Sequence, residues 1–171
     1  MREERHDREQ YFFDEATAQR LVAFLSRWEH PCCVCAPTIG ERLAEAGHDV
    51  TILDVDERFA HLPGYRPYDV TRPPWIDRRF DGILCDPPFF NVSLSVLRDA
   101  LRQLSHHDDR QPVLLGYLSR RADAVVEAFS RFSLRTTGIR LHYTTVDASE
   151  RNEIELFSNL DDDTLAPLRE P

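Results

Sequence analysis

The chain has no lysine, few glycines and no long apolar stretch, and these absences exclude some classes of protein. Its 171 residues carry 21 basic side chains, all arginine, against 30 acidic ones, giving a net charge of -9. Duplex binding depends on a basic surface that neutralises phosphates, and a chain this acidic lacks one over its whole surface. No apolar run reaches the length of a membrane span, and the first nine residues are charged rather than hydrophobic. We therefore expect no membrane association and a cytoplasmic location.

The length predicts a single domain with no room for a separate target-recognition domain. We expect a charged and aromatic N-terminal segment over residues 1–13, one domain over 14–160, and an acidic, frayed tail over 161–171.

Only four cysteines occur, and their spacing argues against a metal site. Cys32, Cys33 and Cys35 cluster near His30, but no second Cys/His pair with ligand spacing accompanies them, and Cys85 stands alone. We predict no metal, and we interpret the clustered cysteines as small buried side chains of a core strand.

The most informative motif is an apolar run, residues 82–85, followed by Asp86-Pro87-Pro88-Phe89. The run predicts a strand covered on both faces, and the two prolines end it in a stiff loop because each fixes its own φ and lacks an N–H group. An ordinary turn after a strand is the simpler interpretation of these four residues.

The motif also suits catalysis on an amino group. A stiff loop can hold the Asp86 carboxylate and the Pro87 carbonyl as two fixed hydrogen-bond acceptors for one amine. Phe89 offers a flat face for a planar base or a cation. Accepting hydrogen bonds from an amine orients its lone pair toward an electrophile, which indicates N-alkylation and most simply methyl transfer.

Apolar periodicity along the rest of the chain predicts alternating strands and helices. Strand, helix and strand within residues 32–53 form a βαβ unit, which requires a parallel pair. The last two strands should pair as an antiparallel ribbon at one edge of an open, mostly parallel, doubly wound α/β sheet. The predicted helices cover residues 14–28, 37–46, 92–104 and 119–129. Their predicted caps are Asp14, Thr38, which forms a capping box with Glu41, and Ser119. The remaining predicted strands cover residues 65–68, 82–85, 112–118, 133–143 and 154–160.

Ligands of such sheets bind beyond the carboxyl ends of the strands, where three polar loops should meet. Asp54 ends the second predicted strand, where a carboxylate can accept two hydrogen bonds from a ribose diol; Asp56 is the alternative for this role, and a helix cap is the structural alternative. Asp69 could accept from an adenine amine or simply close a turn. The loop from Ala36 through Pro37 and Thr38 has glycine only at its end, so it lacks a pyrophosphate-binding fingerprint, which favours S-adenosylmethionine over nicotinamide dinucleotides.

Several of these runs, in order and spacing, resemble the small N6-adenine methyltransferase-like family, which includes eukaryotic methyltransferases acting on a lysine of elongation factor 1A. The likeness spans about residues 10–160. It is carried by Gln10-Tyr11-Phe12-Phe13, Cys35-Ala36-Pro37-Thr38, Asp54-Val55-Asp56-Glu57-Arg58-Phe59, Tyr68-Asp69, Asp86-Pro87-Pro88-Phe89 and Asn152-Glu153.

The resemblance implies a seven-stranded, S-adenosylmethionine-dependent fold. It places residues 86–89 at the acceptor site, and it places residues 10–13, Ala36, Asp54 and Asp69 around the cofactor. This chain departs from the family pattern where Phe90 and Asn91 follow the motif and in the loop before Asn152, and we expect these three residues to contact the substrate.

Three functions remain open. Methylation of a protein lysine accords with the acidity of the chain, which would attract a basic partner. Methylation of an adenine amine in DNA or RNA fits the motif equally well, with Phe89 or Phe90 stacking on an extruded base. A binding module that has lost catalysis is the third. A local arginine patch would favour nucleic acid, and its candidates are Arg72, Arg78, Arg79, Arg98, Arg102, Arg120 and Arg121.

Overall fold

The computed structural model describes residues 2–147 and 149–171, and seven strands form one sheet in the order β3-β2-β1-β4-β5-β7-β6. The strands are β1 (Pro31–Val34), β2 (Thr51–Asp54), β3 (Tyr65–Pro67), β4 (Gly82–Cys85), β5 (Val113–Leu118), β6 (Arg135–Leu141) and β7 (Ile154–Ser158). The α-helices are α1 (Glu15–Leu25), α2 (Pro37–Glu45), α3 (Leu94–Leu104), α4 (Ala122–Ala128) and α5 (Asp162–Leu165).

The pairing confirms the predicted α/β class. β1 pairs in parallel with β2 and β4, as β2 does with β3 and β4 with β5. β7 runs antiparallel between β5 and β6, so the C-terminal ribbon lies at one edge of the sheet. Every residue of β1, β2, β4 and β5 is buried, whereas β6 alternates between buried and exposed residues. Continuous apolar runs therefore mark the strands that are covered on both faces.

The helix caps are partly as predicted. The Asp14 side chain accepts a hydrogen bond from the Thr17 backbone N–H at 2.8 Å and starts α1, which ends at Leu25 rather than Trp28. The predicted caps at Thr38 and Ser119 are wrong. α2 begins at Pro37, because proline suits the first helical position, and Ser119 opens a single 3-10 turn before α4.

The expectation of a frayed C-terminal tail is wrong for residues 162–168. The Asp161 side chain accepts a hydrogen bond from the Thr164 N–H at 2.7 Å and caps α5. Leu165 and the following Leu168 are buried in the core. Two apolar side chains in an otherwise acidic segment are enough to dock it against the domain.

The cysteines of β1 and β4 are buried, as predicted for Cys32 and Cys33. The prediction is wrong for Cys35, which follows β1 and is only partly buried. Burial raises the pKa of the Cys33 thiol to about 12, so this thiol stays protonated. Among residues 2–147 and 149–171, no cluster of three or more His, Cys, Asp or Glu side chains could hold a metal ion. The same residues include no helix long and apolar enough to cross a membrane.

Candidate active site

A pocket opens at the carboxyl ends of β1, β2 and β4, where the predicted loops meet. Most of the predicted site residues line it. They are Tyr11, Phe12, Phe13, Ala36, Pro37, Thr38, Asp54, Asp56, Asp69, Asp86, Pro87, Pro88 and Phe89. The pocket therefore joins the residues predicted to hold a cofactor with those predicted to hold an acceptor.

Asp86 is held directly at the end of β4. Its backbone N–H donates to the Val34 carbonyl at 3.0 Å, which continues the pairing of β4 with β1. The Tyr143 hydroxyl donates to Asp86 Oδ1 at 2.6 Å. Burial, opposed by that hydrogen bond and assisted by the nearby Asp54, raises the pKa of Asp86 to about 7.

The two acids after β2 have different environments. Asp54 is 6% exposed, and burial raises its pKa to about 6 although its Oδ1 accepts the Asp56 N–H at 2.8 Å. Asp56 is also buried, but hydrogen bonds from Arg58 and Gln10 outweigh burial and lower its pKa below the ordinary value. Asp56 thus has its oxygens engaged by the protein, which leaves Asp54 as the acid available to a diol.

Two further groups face the same end of the pocket. Asp69 Oδ1 accepts both the backbone N–H and the hydroxyl of Thr71, so this acid closes a turn while lining the pocket. The neighbouring Tyr68 hydroxyl is buried and has no hydrogen-bond partner among the described residues. A buried hydroxyl without a partner costs about 1–3 kcal/mol. This oxygen has almost no accessible surface, so it is packed behind the pocket wall rather than open to the pocket.

The first loop compensates for its lack of glycine at one position. Cys35, directly after β1, has φ = 55°, in the left-handed region that glycine usually occupies. Its N–H donates to the Leu53 carbonyl at 2.9 Å. Sequence reasoning missed this conformation, since nothing about a cysteine indicates a positive φ.

The N-terminal segment covers the pocket. Phe13 forms an antiparallel bridge with Tyr143, and the Thr144 N–H donates to the Phe12 carbonyl at 2.9 Å. The Glu9 carboxylate accepts the backbone N–H groups of Phe90 at 3.2 Å and Asn91 at 3.1 Å. Residues 9–13 therefore tie the loop after β4 to the edge of the sheet.

Three predicted substrate residues lie outside this pocket. Phe90 is 75% exposed, and Asn91 is exposed beside it. Asn152 lines a separate groove next to β6 and β7 that also includes Tyr143. Tyr143, Glu9 and Tyr68 were missed as site residues. Only the position of Tyr68 before Asp69 gave any signal in the sequence.

Three solved structures with the same fold are methyltransferases. A TehB-like S-adenosylmethionine-dependent methyltransferase from Corynebacterium glutamicum has a TM-score of 0.56 at 16% identity, covering 83% of this chain and 85% of that one. Magnesium protoporphyrin IX methyltransferase from Synechocystis, with bound S-adenosylmethionine, has a TM-score of 0.53 at 16% identity over 84% and 78%. Precorrin-6y C5,15-methyltransferase from Geobacter metallireducens has a TM-score of 0.55 at 9% identity over 88% and 90%.

The fold of this chain is that of S-adenosylmethionine-dependent methyltransferases. A search of curated proteins found no match. The model of the family described as probable N6-adenine methyltransferase matches residues 4–161. The chain belongs to this family, which confirms the resemblance noted from its motifs.

The residues of the pocket fit the cofactor of this class. The Asp54 and Asp69 carboxyls are polar groups on a largely apolar wall formed by the aromatic side chains of residues 11–13 and by Ala36. An adenosyl ligand offers a diol and a polar ring edge to such groups.

Proposed function

We propose that the chain transfers a methyl group to an amino group, and that this acceptor is the side chain of a protein lysine. The observation that carries the proposal is the Asp86 carboxyl. It lies at the pocket with one oxygen held by Tyr143, and its other oxygen has no hydrogen bond among the described residues.

The roles of the acceptor residues follow from their chemistry. Once the lysine ammonium has lost one proton to solvent, the free oxygen of Asp86 and the Pro87 carbonyl would accept hydrogen bonds from the neutral amine and keep its lone pair in place. Phe89, whose ring contacts the Tyr117 ring edge-on at 5.2 Å, would form an apolar wall for the aliphatic stem. When bound, S-adenosylmethionine supplies an electrophilic methyl group on a sulfonium.

Cofactor binding would rest on a second set of residues. We propose that Asp54 accepts the ribose hydroxyls and that Asp69 faces the adenine amine. Asp56 would act indirectly, because its bonds to Gln10 and Arg58 hold the N-terminal segment next to Asp54. Residues 11–13 and 36–38 would enclose the ligand by apolar and backbone contact.

Charge supports a lysine over a nucleotide. Asp54 and Asp86 both face the pocket, and the chain carries a net charge of -9. A lysine side chain approaches as a cation, which these carboxylates attract, whereas they repel the phosphodiester backbone of a nucleic acid. The exposed Phe90 and Asn91, and Asn152 in the neighbouring groove, would contact the surface around the lysine.

Adenine is the second candidate, because the family's description names it and because one basic group adjoins the acceptor loop. Arg121 donates to the Tyr117 hydroxyl at 3.2 Å, and that hydroxyl lies 3.4 Å from the Phe89 carbonyl. Among the other arginines considered for a patch, Arg78 pairs with Asp49 at 2.6 Å and Arg98 with Asp99 at 2.9 Å. Arg72, Arg79 and Arg120 form no ion pair among the described residues, so the patch is only partly neutralised.

Transfer of tritiated methyl groups into a cell lysate distinguishes the two acceptors. Label released by protease and recovered as methylated lysine is the expected result. The Asp86→Ala variant serves as the matched control, since it should bind S-adenosylhomocysteine and transfer no label. Label that disappears only with nuclease would refute the lysine assignment, and label of either kind transferred equally by Asp86→Ala would refute the role of this carboxyl.

A further inference from the structure

Tyr143 follows β6, the strand at the edge of the sheet, and its hydroxyl reaches the carboxyl of Asp86, which follows β4. The hydroxyl donates to Asp86 Oδ1 at 2.6 Å, across 57 residues of sequence. A bond this short to a carboxylate is of the strong, charge-assisted kind. It leaves Asp86 Oδ2 without a hydrogen bond among the described residues.

The position of the hydroxyl is fixed by contacts that do not involve Asp86. The Tyr143 ring is 9% exposed and stacks on the Phe13 ring, with centroids 4.8 Å apart and planes at 30°. Their backbones form an antiparallel bridge. Tyr143 is therefore anchored through its ring and its main chain, so its hydroxyl can set the orientation of Asp86.

The strand beneath this pair carries glycine where a side chain would intrude. A Cβ on Gly116 of β5 would lie 3.2 Å from Asp86 Oδ1 and 3.0 Å from Leu141 Cδ1. These distances are tighter than ordinary contacts, so the hydrogen-bonded pair packs directly over the β5 backbone. Tyr143, Asp86 and Gly116 thus form one packed unit.

We infer that Tyr143 is a positioning residue for methyl transfer, whose hydroxyl fixes one oxygen of Asp86 so that the other faces the acceptor nitrogen. This inference rests on the proposed function, because it assigns the free oxygen to the amine. Tyr143 itself contacts Asp86 rather than the reacting atoms.

The hydrogen bond also acts on the charge of Asp86. The titratable groups near this carboxyl are Tyr143, Asp54 at the end of β2, Cys35 after β1 and Cys85 in β4. Burial and Asp54 disfavour the carboxylate, and the Tyr143 hydroxyl is the group that favours it. Removing that hydroxyl should therefore raise the pKa of Asp86 and leave less carboxylate at neutral pH.

Tyr143→Phe tests this directly, because it keeps the stacking ring and removes only the hydroxyl. In protein labelled with ¹³C-aspartate and saturated with S-adenosylhomocysteine, the Asp86 signal is assigned by its loss in Asp86→Asn. We expect its titration midpoint to rise by about one pH unit in Tyr143→Phe. The control is Ser105→Ala, which loses a buried hydrogen bond to the Leu101 carbonyl away from the pocket and should leave the midpoint unchanged.

The transfer rate into the lysate acceptor provides the second readout. At neutral pH it should fall about fivefold in Tyr143→Phe through the loss of Asp86 carboxylate, and further through the loss of its orientation. The part due to ionisation should disappear as the pH rises, because Asp86 then ionises in both proteins. A merely structural role would not produce that pH dependence. An unchanged midpoint, or a transfer rate in Tyr143→Phe equal to that of the wild type at neutral pH, would overturn the inference. If the midpoint shifts but wild-type protein transfers no label, the positioning bond stands and the proposed function fails.

Discussion

Replacing Asp86 by asparagine should stabilise the protein while removing methyl transfer. The ordinary pKa of an aspartate is 3.8, and burial raises that of Asp86 to about 7. A shift of this size corresponds to about 4 kcal/mol of destabilisation of the folded carboxylate. Asparagine keeps an oxygen for the Tyr143 hydroxyl but still buries a polar group, so about 2 kcal/mol should be recovered.

The pH dependence follows from the direction of the shift. Because the folded-state pKa lies above the unfolded value, the cost is fully present above about pH 7 and disappears below about pH 4. The advantage of Asp86→Asn should therefore be largest at about pH 8 and mostly gone by about pH 5. A gain of about 2 kcal/mol corresponds to a rise in Tm of roughly 5 °C for a domain of this size.

Urea unfolding of the cofactor-free protein at the two pH values measures the effect. Asp77→Asn, at an exposed loop position, is the control and should change neither midpoint. If Asp86→Asn were less stable than the wild type at pH 8, or if its advantage were equal at both pH values, burial of a charged carboxyl would not be the origin of the raised pKa.

Two further changes test the cofactor side and the packing of the sheet. Burial raises the pKa of Asp54 to about 6, so the Kd for S-adenosylhomocysteine, measured by calorimetry, should rise about tenfold when the pH falls from 7 to 5. Asp54→Asn should weaken binding at pH 7 and make the Kd nearly independent of pH. If the Kd of the variant rises as steeply as that of the wild type, Asp54 is not the source of the pH dependence. Gly82→Ala should lower the free energy of unfolding, measured by urea titration, by about 2–3 kcal/mol, because the added Cβ would lie 2.2 Å from Trp28 Cη2. If the variant were as stable as the wild type, the Trp28 ring would be free to move aside.

The position of β4 could be predicted because this strand is short and apolar and is followed by an acid and two prolines. The bounds of β4 agree with the predicted strand 82–85, since an apolar run bounded by Asp81 and the two prolines allows no other register. The caps at Thr38 and Ser119 failed for a related reason. Both hydroxyl side chains are of the type that caps helices. However, α2 already begins at Pro37, so Thr38 lies inside the helix, and Ser119 begins a 3-10 turn.

The candidate site was predictable only where it is made of local motifs. The loops after β1, β2 and β4 converge because parallel strands end at one edge, so Ala36, Asp54 and Asp86 could be expected to lie together. Tyr143 could not, because its contact with Asp86 depends on the antiparallel placement of β6 and on the bridge to Phe13. Contacts across the whole chain length have no signature in a single sequence.

The loop over residues 86–91 is held by its two prolines and, separately, by two contacts from other parts of the chain. Pro87 and Pro88 restrict the backbone, but proline rings do not set the rotamer of the Asp86 side chain or the path of the chain after Phe89. Tyr143 supplies the first constraint by holding Asp86 Oδ1, and Glu9 supplies the second by accepting the N–H groups of Phe90 and Asn91. Both constraints involve the N-terminal segment, through Phe13 and through Glu9 itself. The segment proposed to enclose the cofactor thus also holds the loop proposed to bind the acceptor, so under this proposal cofactor enclosure and acceptor geometry depend on the same residues, 9–13.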